Sequence, residues 1–595
     1  MSNDGTAREE VSKLPSMRSP EAFGRARAWL EKCLTSRTPC GGQWTPSHSK
    51  IPTRLLYVQD AHTCRLTEAS ELPADLRYLT LSHCWGSSAT KTLCLTTQNM
   101  AALKTAVPLQ HLSRVFQDAL AVTRELGYHY LWIDSLCIVQ DSLDDWRSES
   151  LRMGDVYKNS TCNLSSLGPD GSHGLLKSSR ADEIPTLETL VEYRIRSGAG
   201  VMVPFLTGAR YYGLIFDRAG RGTWRDVEEA PLNRRAWVLQ ERVLSPRILH
   251  FGHAQMFWEC DHLCANELFP CGFDTTLYPF LAAAERATVF NRDLRSRVAV
   301  APEWSAHVLG SFWDEVISAH SASSLTFPTD KLVSLAGLGR EIESLFRKRY
   351  LSGMFPLDFP CSLLWTVAQP SGRHGLVLPV TIDRRPEQGA PSWSWASLDG
   401  AVLAWGSYQY NKRVVCCSRW TMVCTVSIAD PLPTPQLDLD LGHRLAVRGS
   451  LRRFTPGDIV HAQELATFCW TAPHRWTLKL FPDTGTFPLH SREPGPLWER
   501  HFAPFILSFF FLPFLQGKDR IDDLTELNFA AGDLLGLGLL PVDDAVGTYR
   551  RIGLVRLRSL AAEKNSTLEM PWTEFTTDDP IPQEPGGNGV YLTLV

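Results

Sequence analysis

The sequence predicts an α/β domain followed by a helical segment and a β-rich C-terminal domain, and three observations carry that reading. Two apolar runs, Tyr78 to Ser82 and Tyr130 to Ile133, bracket an amphipathic stretch from Arg114 to Gly127, the pattern of a strand-helix-strand unit in a parallel sheet. From Trp304 to Tyr350 the apolar residues fall at helical spacing. From about Asp358 the chain changes to short β-like runs broken by Pro and Gly.

Taken in order, residues 1–19 are polar and without periodicity and are expected to be disordered. Residues 20–75 hold a short helix, with Phe23, Ala26, Leu30 and Cys33 on one face, and two short strands at Pro52 to Val58 and Cys64 to Leu66. The α/β domain is expected over 76–265. Its first strand ends at Trp85-Gly86; Ser113 caps a helix that Gly127 closes; the next strand delivers Asp134 to its carboxyl end. A second helix follows from about Asp144, with Trp146, Met153, Val156 and Tyr157 inward, and then a strand at Thr161 to Leu167. Residues 168–230 look like an insertion, with short strands at Thr186 to Tyr193 and Leu214 to Phe216. Residues 231–246 have a helical pattern bounded by Pro246, and a strand pair at 247–252 and 255–260 closes the domain. A helical region over 266–357, with Thr329 or Asp330 as a cap, leads into the β-rich domain over 358–595. There Pro391 to Ser397 reads as a strand, and the apolar run Phe502 to Leu515 reads as a buried hairpin or interfacial loop, being too short for a spanning helix.

Composition narrows the function classes. With 60 basic and 64 acidic residues the net charge is -4, so no global field favours nucleic acid or an anionic membrane. The N-terminal stretch lacks the apolar core of a secretory signal, which together with the dispersal of 15 cysteines through apolar segments predicts a cytoplasmic protein with reduced thiols. No membrane span is expected. The His and Cys residues between His250 and Cys271 lack the paired spacing of a zinc site, so no metal is expected either.

Three blocks are highly specific in wording: Tyr78-Leu-Thr-Leu-Ser-His-Cys-Trp-Gly86, Leu131-Trp-Ile-Asp-Ser-Leu-Cys-Ile-Val-Gln-Asp141, and Asn233-Arg-Arg-Ala-Trp-Val-Leu-Gln-Glu-Arg-Val-Leu-Ser-Pro-Arg247. In this order they resemble the fungal heterokaryon-incompatibility (HET) domain family. That resemblance implies a role in non-self recognition and regulated cell death, with the α/β domain as effector and the C-terminal region sensing, inhibiting or assembling. HET domains are in turn similar to TIR domains, which implies a TIR/flavodoxin-like parallel sheet with flanking helices. In TIR-type NAD-cleaving enzymes the catalytic glutamate stands four residues after a tryptophan, and Trp237 and Glu241 match that spacing.

The resemblance makes Glu241 the candidate catalytic residue, with Ser82, Trp85, Gly86, Asp134 and Trp237 as candidate substrate-binding residues. One carboxylate can stabilise the oxocarbenium character that develops as the nicotinamide ribosyl bond breaks. NAD is then a substrate, and no cofactor is expected. The alternatives stay open at this stage. Glu241 pairs with Arg234 or Arg235 on an exposed helix face; Trp85 and Gly86 form a tight turn with a core tryptophan; Asp134 caps the turn at Ser135 instead of holding a ribose hydroxyl. A non-enzymatic module that binds a protein partner or a second copy of itself, or an accessory protein of a fungal pathway, is the rival function. A nucleotide is the expected small-molecule partner, and nucleic acid is not expected.

Overall fold

The computed structural model describes residues 15–36, 51–177 and 224–272 with short gaps, then 305–367 and 390–403 with short gaps, and the separate strands named below. Most of the expected N-terminal disorder and of the 168–230 insertion, with its strands at 186–193 and 214–216, lies outside the described residues, as do His262 and residues 502–508. The chain divides into two compact units, residues 1–293 with 336–338, and residues 294–335 with 339–595.

The first unit is built on one eight-stranded sheet. Its elements are α1 (Pro20–Thr35), β1 (Arg54–Val58), β2 (Cys64–Glu68), β3 (Leu79–Ser82), α2 (Met100–Thr105), α3 (Arg114–Glu125), β4 (Tyr130–Trp132), the single turn α4 (Asp134–Cys137), α5 (Leu143–Lys158) and β5 (Cys162–Ser166). A separate ribbon follows, β6 (Arg194–Arg196) with β7 (Met202–Pro204), and then α6 (Trp224–Glu228), α7 (Ala236–Leu244), β8 (Arg247–Phe251), β9 (Met256–Cys260) and β10 (Cys264–Asn266). The strand order is β10-β9-β8-β5-β3-β4-β1-β2.

The expectation of a parallel sheet holds only for the centre. β4, β3, β5 and β8 are mutually parallel, whereas β1 and β2 on one side and β9 and β10 on the other run antiparallel to their neighbours. The physical reason is loop length. β1–β2, β8–β9 and β9–β10 are joined by a few residues each, enough for a hairpin but not for the crossover that a parallel pair needs. The α/β class stands, and the sheet is mixed.

Local chemistry explains the helices. Ser113 caps α3 through its hydroxyl, which accepts from the Phe116 amide, and Gly127 ends it at φ +85°. Ser142 caps α5 by accepting from the Asp145 amide, and Asp144 and Asp145 complement the positive end of the helix. Residues 231–246 split into a 3-10 turn, Pro231–Arg234, and α7. α1 binds distant parts of the unit together. Arg25 Nη1 donates to the Glu267 carbonyl (2.7 Å), Trp29 Nε1 donates to the Pro270 carbonyl (2.8 Å), and the Trp29 ring stacks on Trp258.

The two faces of the parallel strands differ in chemistry. Leu79, Leu81, Cys162, Leu164, Leu249 and Phe251 join a large apolar core with α1 and α3 residues such as Phe23, Trp29, Val115 and Phe116. The alternate positions Thr80, Ser82, Asn163, Ser165 and His250 are buried too, and they are polar.

In the second unit, α8 (Ser305–Ser321) and α9 (Val333–Phe346) fall where helical spacing predicts them. Neither Thr329 nor Asp330 caps α9: its N-cap is Leu332, without a side-chain bond, because Asp330 belongs to a preceding 3-10 turn, Pro328–Asp330. Pro391 to Ser397 is not a strand. Ser394 Oγ accepts from the Ala396 amide and ends the segment in a 3-10 turn, Trp395–Ser397. β11 (Thr366–Val367) pairs with β12 (Val402–Leu403), and beyond residue 419 the described strands form an 11-stranded sheet. Within it Phe509–Gly517, the later part of the apolar run, pairs with three other strands.

Candidate functional site

Numbered along the chain, the four parallel strands β3, β4, β5 and β8 lie in the order 2-1-3-4. The order reverses between β3 and β5, and in open α/β sheets such a switch point, at the carboxyl ends of the strands, is where ligands bind. Ser82 is the last residue of β3 and lies in register with Ser165 on β5.

A directed chain of hydrogen bonds leads to this point. Thr80 Oγ1 donates to Asn163 Oδ1 (3.1 Å), Asn163 Nδ2 donates to Ser82 Oγ (2.9 Å), and Ser82 Oγ donates to Glu241 Oε2. Because Asn163 spends its amide on Ser82, the Ser82 hydroxyl is left to donate to the carboxylate. Tyr157 of α5 stands beside both, its hydroxyl also donating to the Leu81 carbonyl (3.4 Å) and its ring edge-on to Trp132.

Glu241 is therefore not on an exposed helix face. It is 5% exposed, and α7 turns its carboxyl onto the sheet. Burial pushes its pKa above the ordinary carboxylate value; the Arg235 charge and the Ser82 and Tyr157 hydroxyls work in the opposite direction, and Asp134 adds to the rise. Arg235 is fixed by donating from Nη1 to the His83 carbonyl. Of the two arginines read as partners of Glu241, only Arg235 acts on it electrostatically in this way, from a position just ahead of α7.

Trp85 and Asp134 form the outer half of the site. Trp85 is 40% exposed, so it is not a core tryptophan, and its Nε1 donates to Asp134 Oδ2 (2.8 Å). Its ring lies parallel to His83, at 6.4 Å between centroids. His83 packs edge-on to Phe116 with Nδ1 3.9 Å from Asp134 Oδ1, and burial lowers its pKa to about 4, so the ring is neutral near pH 7. Asp134 also accepts from the Ser135 amide (2.7 Å) as it opens α4, so it serves the turn and the tryptophan together. Gly86 follows at φ +79°, a conformation that suits glycine. Trp237 sits one turn before Glu241 and meets Trp146 of α5 edge-on, at 6.4 Å, so it ties α7 to α5.

A second polar cluster continues along the same face. His250 Nδ1 meets Ser165 Oγ (3.0 Å), His250 Nε2 meets Glu259 Oε2 (2.9 Å), and Arg242 joins Glu259 (3.1 Å) to Glu228 (2.7 Å). Consecutive residues of α7 thus serve the two halves, Glu241 at Ser82 and Arg242 at Glu259. Asn163, Thr80, Tyr157 and Arg235 were not singled out from sequence as site residues. The available signal was Asn163, an amide between Cys162 and Leu164 in a strand that is buried throughout.

The comparisons with known proteins give one match. Residues 78–241 fit the family described as Heterokaryon incompatibility protein (HET), over a span that opens one residue before β3 and closes on Glu241. No curated protein and no solved structure matches the chain. Among the described residues, no helix is long and apolar enough to cross a membrane.

Proposed function

We infer that the chain is a fungal heterokaryon-incompatibility-type protein whose first unit acts as effector in regulated cell death, and that its reaction is hydrolysis of the nicotinamide ribosyl bond of NAD. The observation that carries this reading is the meeting of Glu241 with Ser82 at the carboxyl end of β3, on the switch point of the sheet. The HET match over 78–241 supports the broader role.

The chemistry assigned to the site is economical. As the bond to nicotinamide lengthens, positive charge grows on the ribose, and the Glu241 carboxylate stabilises it; water then adds to the ribose carbon, giving ADP-ribose, nicotinamide and a proton. Ser82, oriented by Asn163, and Tyr157, whose hydroxyl burial keeps protonated, hold the carboxyl in one position. The reaction needs ionised Glu241, whose pKa is raised, so the acid limb of the rate profile should lie above the usual carboxylate range. Asp134 and the exposed Trp85 supply a hydrogen-bonding and stacking edge for the nucleotide.

One observation favours a second reading, a module that binds a protein partner. Glu241 is only 5% exposed, whereas Trp85 offers a large aromatic surface. The deciding experiment incubates purified full-length protein with NAD and follows nicotinamide release and melting temperature for wild type and Glu241→Gln. Hydrolysis by wild type with a folded, inactive variant supports the enzymatic reading. A folded variant that retains turnover removes Glu241 from the mechanism, and a wild type inert under conditions that support cell death favours the binding module.

A further inference from the structure

The second unit contains a cleft of about 460 Å³, lined by residues that include His320, Ser323, Lys331 and Asp399. It lies among residues to which neither the sequence motifs nor the family match assigns a role. Its volume is within the range of small-molecule sites.

Lys331 is 6% exposed and is held in place. Its Nζ donates to the Leu398 carbonyl and lies 5.0 Å over the Trp395 ring. Burial lowers its pKa from 10.5 to about 8, with Asp399 opposing the fall. A lysine desolvated in a cleft is the usual form of an amine nucleophile.

His320, 1% exposed, provides the second observation. Ser334 Oγ donates to the Lys331 carbonyl (3.0 Å), so its oxygen is free to accept from His320 Nε2 (2.7 Å). The Nε2–H tautomer follows, which leaves Nδ1 as a bare acceptor, and among the described residues it has no hydrogen-bond partner. Burial, and then the Lys331 charge, hold this imidazole at a pKa of about 3, so it remains neutral. A buried acceptor without a donor beside a fixed amine is complementary to a molecule that brings an electrophile and a hydroxyl together.

We propose that Lys331 is the nucleophile of a second site, which takes a small aldehyde or ketone as a Schiff base. The neutral amine adds to the carbonyl carbon and the carbonyl oxygen gains a proton. The resulting carbinolamine hydroxyl donates to His320 Nδ1. That hydroxyl gains the remaining N–H proton by way of solvent and leaves as water as the C=N bond forms, so one amine and one carbonyl give one imine and one water. Asp399 offsets the charge of the protonated imine. Burial sets the amine's charge state, with Asp399 the ionisable group that acts against it.

The test treats folded full-length protein with glycolaldehyde and sodium cyanoborohydride at neutral pH and measures alkylation of each lysine by peptide mass spectrometry. A fall in pKa from 10.5 to about 8 raises the neutral fraction by about three hundredfold, of which enclosure takes back part. Lys331 is expected to react about tenfold faster than the median lysine. Its rate should rise through pH 8, and the advantage should vanish in urea. Labelling of Lys331 at or below the median rate in the folded protein, or a rise only near the ordinary lysine pKa, overturns the proposal. His320→Phe keeps a ring but removes Nδ1 and should slow labelling several-fold without moving the pH midpoint; an unchanged rate removes the imidazole from the site. Should that variant fail to fold, Ser334→Ala, which frees the tautomer, gives the same comparison.

Discussion

The two faces of the β4-β3-β5-β8 strands have the same backbone and opposite chemistry. Against α1 and α3 the sheet presents Leu79, Leu81, Leu164 and Leu249, which need only volume and shape. Against α5 and α7 it presents Thr80, Ser82, Asn163, Ser165 and His250, each of which needs a partner of the right kind in the right direction. A face of the first kind tolerates volume-conserving change; a face of the second kind fails when one member is removed, since its partner is left buried and unsatisfied. The difference teaches where to look for function, because apolar contacts would cover this sheet at less risk.

Substitutions at four residues test that comparison. The largest effect is expected from Arg242→Ala, which strips the cation from two acidic residues, Glu228 and the fully buried Glu259; the loss should be about 3 to 5 kcal/mol in chemical denaturation. A loss below about 1 kcal/mol would mean that the polar face is no more demanding than a surface. On the other face, Leu164→Ala should cost about 3 kcal/mol through the cavity it leaves, while Leu164→Met should be nearly neutral.

His83 gives the third contrast, on pH. Its folded pKa of about 4 lies below the ordinary 6.5, so the fold binds fewer protons than the unfolded chain between those values. Its contribution to stability is complete above pH 6.5 and is lost as pH falls toward 4, by about 2 to 3 kcal/mol. His83→Phe should flatten that part of the stability profile. The smallest change belongs to Glu241→Gln. The folded pKa of Glu241 is raised, so its ionisation costs stability that is intact below pH 4.5 and declines as pH rises through the folded value. The variant should match or slightly exceed wild type in melting temperature at neutral pH and lose this advantage in acid. A large destabilisation would make the carboxylate a structural anchor.

The elements around the site were legible because each has a local signature. Ser113 and Gly127 mark the ends of α3, the runs at 78–82 and 130–133 announce β3 and β4, and Pro246 stops α7 before β8. The sequence also brought forward Ser82 and Glu241, which meet, and Trp85 and Asp134, which meet. What could not be read was the partnership between them and the rest. Thr80 and Asn163 look like incidental polar residues in apolar strands until the register sets them side by side, 83 positions apart in sequence. The mixed character of the sheet was hidden for a similar reason: β1 gives no local sign that its partner, besides β2, is β4.

The way α1 is fastened bears on how the protein is made. Its anchors are carbonyls at Glu267 and Pro270, more than 240 positions downstream, and β1 must wait for β4. A nascent chain emerging from the ribosome therefore carries an amphipathic helix without its anchors through most of the synthesis of this unit, leaving Phe23, Trp29 and Leu30 uncovered, and a β1–β2 hairpin with one open edge until β4 is made. The stretch that fits the HET family, 78–241, is correspondingly not the stretch that folds: cut to those limits, it would expose β4 and β5 as raw edges, deprived of β1 and β8. Similarity and autonomy have different borders in this chain.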